Sequence, residues 1–355
     1  SGWIGDITHL QTPILSLFLP LGISFYTFQS MGYIIDVYWE KTPAQKNPAK
    51  FALFASFFPQ IIQGPIAIYD DLANQLFEGH RLKYENIKYG AQLVLWGLFM
   101  KMVVADRAVV VLDSILPHHN ELNGVWNMIT ILIYALQLYA DFAGGINISR
   151  GVARMLGINL AENFRRPFFS KTMSEFWRRW HISLSHWLKT YLFYPIAISK
   201  GFLRMGKWFQ KHIRGSLGVH LGRVFPGCVA TLITFFVIGI WHGANWKYGA
   251  FGIWNGVWIF LGMLLEPVFK AVTEKLKIRV ESFSWRLFRI IRTCVMILLG
   301  FAFDIADDAV DSMRMIIKCV TKPFSGSSFN LFSGDAVPLQ KVDWPILALG
   351  TILIF

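Results

Sequence analysis

An all-α bundle that crosses a membrane several times is the fold class this sequence predicts, and three observations predict it. Apolar residues make up 54% of the 355 and charged ones only 16%, where a soluble globular chain carries about 25% charged residues. Mean hydropathy is +0.44, and several uncharged runs approach the ~20 residues that a helix needs to span a bilayer. From Phe176 to Leu265 there is no Asp or Glu, while Lys and Arg recur. One bundle over residues 1–355 is therefore expected, not two soluble domains. In a soluble chain the net charge of +12 would suggest nucleic acid. Here it is assigned to loops that stay cytoplasmic beside anionic lipid, so the bilayer and not a nucleic acid is the expected partner.

The elements follow in order. A first span is expected at about Pro13 to Ile35, kinked by Pro20 and Gly22. A loop with Lys41, Lys46 and Lys50 comes next. Phe51–Tyr69 contains FFPQIIQGPI, in which Pro59, Gly64 and Pro65 interrupt an apolar stretch holding Gln60 and Gln63. Irregular backbone at membrane depth survives only when packed in protein or lining a cavity, so this piece reads as bent or re-entrant. Ala91–Val111 is the next span, with Lys101 and Asp106 snorkelling at its end. The loop Asp113–Gly124 has no Lys or Arg and fits the outer side. Val125–Ala140 returns inward and ends at Asp141, which is expected to pair with Arg150 or to cap a break. The basic segment up to Arg223 is cytoplasmic by the loop-charge rule. Its part from Lys200 to Arg223 suits a lipid surface, or an acidic donor or carrier protein.

A helix pair over 224–265 follows: Val224–Trp241 and Tyr248–Leu265, joined by HGANWK at His242–Lys247. Gly252 and Gly256 have the spacing of close helix packing. Lys270–Arg292 is basic, Cys294–Phe303 is another span, and Asp304, Asp307, Asp308 and Asp311 fit the outside. A last run starts at Trp344. The chain opens at Ser1 without a basic leader and stops inside an apolar run, so it is expected to be a piece of a longer protein. Cys228, Cys294 and Cys319 have no metal-ligand or disulfide spacing and read as small buried hydrophobes; no metal site is expected.

Two histidines stand out. At 100° per residue, 175–191 sorts into an apolar face with Trp177, Trp180, His181, Leu184, Trp187, Leu188 and Tyr191, and a polar face with Arg178, Arg179, Ser183, His186 and Lys189. That is an amphipathic interfacial helix. His181 falls at the edge of its apolar face, as a site residue or as a core histidine satisfied by a backbone carbonyl. His242 ends an uncharged run of spanning length. Gly239 and Gly243 beside it permit a helix break and close approach of a ligand, and Asn245 either caps the next helix or orients the imidazole. Histidine titrates near neutral pH, and burial would keep its ring in the neutral form a base needs. No GxSxG accompanies it, so direct attack by a hydroxyl is simpler than a covalent enzyme intermediate. The bland alternative is a structural histidine at a helix turn.

EFWRRWHISLSHWL at Glu175–Leu188, followed by WHGANW at Trp241–Trp246, resembles the membrane-bound O-acyltransferases, in the bacterial branch of alginate O-acetyltransferases. Teichoic acid D-alanyl transferase membrane subunits and peptidoglycan O-acetyltransferases are related to that branch. LPLGISFYTFQSMGYIIDVYWEK at Leu19–Lys41, FALFASFFPQIIQGPI at Phe51–Ile66, GLFMKMVVADR at Gly97–Arg107 and ENFRRPFF at Glu162–Phe169 extend the resemblance over Leu19–Leu265. It implies a bundle around a funnel or tunnel, with His242 as catalytic base and His181 in the same chamber. Trp241, Asn245, Trp180, Trp177 and Asp141 are the expected supporting or substrate-binding residues.

The resemblance implies no bound cofactor but an acyl thioester co-substrate, acyl-CoA or an acyl carrier protein. The acyl group, acetyl first, would go to a hydroxyl of a cell-surface glycan or an extracytoplasmic acyltransferase or esterase-like partner, across a bacterial inner membrane. Two departures speak against alginate itself as acceptor: Gly144-Gly-Ile-Asn-Ile148 in place of a GYSD-like stretch, and Gly300-Phe-Ala-Phe-Asp304 in place of a WxFFR-like one. D-alanyl transfer to teichoic acid is the alternative within the family. The alternatives outside it are a transporter or flippase using intramembrane histidines, and a scaffold subunit; no internal repeat of the kind transporters often carry is visible.

Overall fold

The computed structural model describes residues 22–331 and 337–355; their regular structure is all helix, with a single isolated bridge (Leu122–Ser327) outside the helices. The expected residues Pro13 to Leu21 of the first span lie outside the described residues. Its remainder is α1, Ile23–Tyr38. The interrupted stretch after it is α2 (Pro48–Ala55), the one-turn α3 (Phe58–Ile61) and α4 (Tyr69–Phe77). Pro59 sits in the first turn of α3, where its missing N–H costs nothing. The bend expected from Pro59, Gly64 and Pro65 is thus present.

α5 (Tyr84–Leu98) runs through a π-helical stretch at Phe99–Ala105 into α6 (Asp106–Ile115). α7 is Gly124–Met155, capped by the Asn123 side chain. The two short helices α8 (Met173–Arg179) and α9 (Ile182–Leu188) lead through a π-turn to α10 (Tyr194–Ala197). Then come α11 (Lys200–His212), α12 (Gly215–His242), α13 (Trp246–Leu264), α14 (Glu266–Lys275), α15 (Phe283–Ile305), α16 (Ala309–Thr321) and α17 (Asp343–Ile354). α7 and α12 are each long and apolar enough to cross a membrane, and α13 with α14, bent by 58° between them, is a third candidate span. This is an integral membrane protein.

Two glycine contacts set the packing that positions the site. On α5, Gly90 and Gly97 face Gly151 and Gly144 of α7: a Cβ on Gly90 would lie 2.6 Å from the Gly151 carbonyl oxygen, and one on Gly97 2.5 Å from that of Gly144. On α13, Gly252 faces the Phe235 carbonyl of α12 with no room for a Cβ, as the sequence spacing predicts. Backbones in this contact leave α12 and α13 side by side, with His242 at the turn between them.

Two expectations are corrected. α7 does not end at Asp141 but continues to Met155. The Asp141 carboxylate is met by the Lys101 ammonium at 2.7 Å, and Lys101 also meets Asp106 at 2.9 Å, so no break is needed. Arg150 instead reaches Asn147, and Lys101 and Asp106, both partly exposed, pair with each other. The amphipathic helix of 175–191 is likewise not one helix. It stops at Trp180 and restarts at Ile182, with His181 between in the left-handed region at φ 44°. A nearby loop takes the backbone groups that a continuous helix would use. The Ile182 N–H donates to the Asn163 carbonyl (3.0 Å), the Ser183 N–H to Asn163 Oδ1 (2.7 Å), and the Arg165 N–H to the Arg179 carbonyl (2.9 Å).

Candidate active site

The left-handed turn carries His181 off both helices and into the interior. A non-glycine residue there costs roughly 1–2 kcal/mol and persists only where its surroundings hold it. The surroundings are aromatic: Phe142 of α7 meets the imidazole edge-on at 4.8 Å, and Phe25 of α1 stacks on it at 6.4 Å. His181 is 5% exposed. Neither ring nitrogen has a hydrogen-bond partner among the described residues, so the backbone-carbonyl reading does not hold. Burial first, then the positive charge that His242 can carry, pushes the His181 imidazole down to about 3. It is a neutral ring with a free donor and a free acceptor.

His242 is the last residue of α12. Its ring is collared by Trp241 (4.8 Å), Phe251 (5.8 Å) and Tyr248 (6.3 Å). The residue is exposed at the end of α12, with its ring against this collar. The helix has to end here because Gly243 adopts an extended conformation and the Asn245 side chain, accepting from the Lys247 N–H at 3.0 Å, caps α13. Of the two roles expected for Asn245, the structure shows the cap.

Helix α1 joins the two histidines. Phe25 stacks on His181, and one turn on, Phe28 packs edge-on against Trp241 (5.4 Å) and Trp187 (4.5 Å). Trp187 Nε1 donates to the Phe28 carbonyl at 2.8 Å. A second connection runs from Trp177, whose Nε1 donates to Asn255 Oδ1 (3.2 Å) and whose ring meets Phe251, the residue touching His242. Trp241 and Trp177 therefore belong to the surroundings of His242. Trp180 packs among Tyr139, Phe164, Phe168, Phe176 and Phe301, and Asp141 is held in its ion pair; neither is seen at an imidazole.

Sequence reasoning missed a cavity of about 850 Å³ beside the His181 turn. Arg150, Arg165, Arg166, Arg178 and Arg179 line it, against the carboxylates of Glu162 and Glu175. Arg165 and Arg179 are paired with those two carboxylates, each at 2.6 Å. Arg150, Arg166 and Arg178 have no carboxylate partner among the described residues, so the cavity is strongly cationic. Asn163, fully buried, belongs both to its wall and to the bonds that hold the His181 turn. The ENFRRPFF motif was the signal for it, but the arginines converge from three separate segments. The basic helix α11 is elsewhere: Gly206 packs it on Gly222 of α12.

Residues 43–303 match the family model of MBOAT, the membrane-bound O-acyltransferase family. The chain belongs to this family. Among curated membrane-bound O-acyltransferases and their kin it is 34% identical over 288 residues to the probable alginate O-acetylase AlgI of Pseudomonas syringae pv. tomato, covering 80% of this chain and 48% of that protein. It is 32% identical to the peptidoglycan O-acetyltransferase of Helicobacter pylori, over 70% of the chain and 48% of the relative. A teichoic acid D-alanyltransferase of Streptococcus thermophilus is 30% identical over 67% of the chain and 55% of that protein. The chain thus spans about half the length of the curated relatives it matches. Both histidine motifs fall inside the family match.

Proposed function

We propose that this chain carries the catalytic core of an O-acyltransferase in a bacterial inner membrane. It moves an acyl group, acetyl first, from a cytoplasmic thioester to a hydroxyl of a cell-surface polysaccharide or of an extracytoplasmic partner. The single observation that carries the reading is the pairing of an exposed histidine, His242, with a sealed and unpartnered one, His181, linked through α1.

In this reading His242 takes the proton from the acceptor hydroxyl as its oxygen attacks the thioester carbonyl carbon. The C–S bond then breaks, and the proton passes from the imidazolium to the leaving thiolate. A neutral His181 donates one N–H toward the thioester oxygen as charge develops on it. No enzyme-bound acyl group is required. The cationic cavity suits the phosphates of the donor, which acyl-CoA and the phosphopantetheine of a carrier protein share. A glycan hydroxyl as acceptor rests on what the relatives' names say they act on, and the two departures from the alginate pattern favour a glycan other than alginate.

The test is transfer by the full-length protein in proteoliposomes, with acetyl-CoA labelled in the acetyl group and cell-envelope polysaccharide as acceptor. Alkali-labile label on the polysaccharide is expected with the wild type and not with His242→Ala. Equal label from both proteins sinks the reading.

A further inference from the structure

The turn that presents His242 is not held by burial. Ala244, Asn245 and Trp246 are exposed, Trp246 to 81%. The Gly243 N–H donates to the Ile240 carbonyl at 3.2 Å, and the Asn245 side chain caps α13. Both bonds are local: they shape the corner without setting where it stands in the bundle.

Lys247, in the first turn of α13, reaches out of the corner. Its Nζ donates to the carbonyls of Asp304 (3.1 Å) and Ala306 (2.8 Å) at the end of α15. The last carbonyls of a helix have no partner within it and carry its negative dipole end, so a cation is favoured there. The Asp304 carboxyl, beside the Tyr134 hydroxyl, adds a second attraction for the ammonium. What Lys247 grips is itself well tied. Phe303 and Ala306 are buried. Asp308 accepts the N–H groups of Val310 and Asp311 at 2.8 Å each, and the Asp311 carboxylate meets His119 Nε2 at 2.7 Å. The α15–α16 corner is thereby fastened to the segment before α7. Further along α13, Trp254 Nε1 donates to the Met296 carbonyl of α15 at 3.0 Å.

The neighbour of Lys247 backs the imidazole. The Tyr248 ring stacks on His242 at 6.3 Å and fills the space that a Cβ on Gly243 would need, 2.5 Å away. Lys247 Nζ lies 5.2 Å over that same ring.

We infer that Lys247 is a positioning residue for His242: by gripping the end of α15 it fixes where the His242 turn, and the Tyr248 ring behind the imidazole, stand. This rests on the base reading above and adds to it the residue that sets the position of the base. Loss of the lysine displaces the imidazole without removing it. A displacement of about 1 Å at a reacting group can cost on the order of 10²-fold in rate. The cationic cavity assigned to the donor is left untouched.

Initial rates of acetyl transfer are measured on full-length protein in proteoliposomes, at equal insertion and over a range of acetyl-CoA concentrations. Wild type, His242→Ala, Lys247→Met and Lys247→Arg are compared. Lys247→Met is expected to lower kcat at least about tenfold with KM for acetyl-CoA held within about twofold. Lys247→Arg keeps a cation that can donate to both carbonyls, and should recover kcat to within about threefold of the wild type. Lys247→Gln replaces the methionine variant if that one does not insert. A methionine variant with wild-type kcat, beside an inactive His242→Ala, overturns this inference and leaves the base reading standing. So does a rise in KM at unchanged kcat, which would mean a contact with substrate, or an arginine variant as slow as the methionine one. His242→Ala as active as the wild type removes both.

Discussion

The side-chain oxygen of Asn163 accepts the backbone N–H of Ser183 at 2.7 Å, and this bond fixes the turn on which His181 stands. Asn163 is fully buried, so its loss leaves the Ser183 N–H without a partner in a dry interior. Asn163→Ala is expected to cost about 1–3 kcal/mol of stability and to lower transfer at least tenfold. Thermal unfolding and initial transfer rates check both.

The His181 imidazole, pushed down to about 3 by burial and, secondarily, by His242, makes a pH prediction with a definite sign. Its folded value lies below the ordinary 6.5, so the unfolded chain binds the extra proton first as pH falls. Its contribution to stability is fully present above about pH 6.5 and is lost progressively toward pH 3. His181→Gln should therefore show a flatter decline of melting temperature between these pH values than the wild type. Parallel curves would show that the ring is not held neutral.

Gly252 faces the Phe235 carbonyl with no space for a Cβ. Gly252→Ala must push α13 off α12 and displace the turn bearing His242. Overpacking of this kind costs roughly 1–3 kcal/mol, and transfer should fall with it. Gly262, near the far end of α13, has nothing within 4 Å of its Cβ position, so Gly262→Ala should leave both quantities within error of the wild type.

The Lys101 pairs with Asp141 and Asp106 involve side chains that are a third to a half exposed. Such pairs contribute about 0–1 kcal/mol each. Asp141→Asn is accordingly expected to change stability by less than about 1 kcal/mol and to leave the transfer rate within about threefold, a shift of well under 1.4 kcal/mol. A hundredfold loss of rate would give Asp141 a role at the reacting atoms that its ion pair does not suggest.

Much of this was legible in the residues because it depends on local pattern. The apolar run before His242, the spacing of Gly252 and Gly256, and the capping choice of Asn245 each sit within a few residues of what they determine. The break at His181 was not legible. On a helical wheel 175–191 is a clean amphipathic helix, and only the loop around Asn163, bonding from some twenty residues away, divides it. The same holds for Asp141, whose partner lies on another helix, and for the arginine cavity, gathered from α7, the 162–166 loop and α8. Charges and breaks were read correctly as present and wrongly paired, since pairing is decided by tertiary contacts.

The most direct measurement is the single-turnover rate of acetyl transfer by wild type and His242→Gln in proteoliposomes, at saturating acetyl-CoA and with equal insertion verified. A proton-accepting imidazole at this position predicts a fall of at least a hundredfold, within the ~10²–10⁴ that general base catalysis supplies. A His242→Gln protein that keeps more than about a tenth of the wild-type rate, far less loss than that range, would contradict the account.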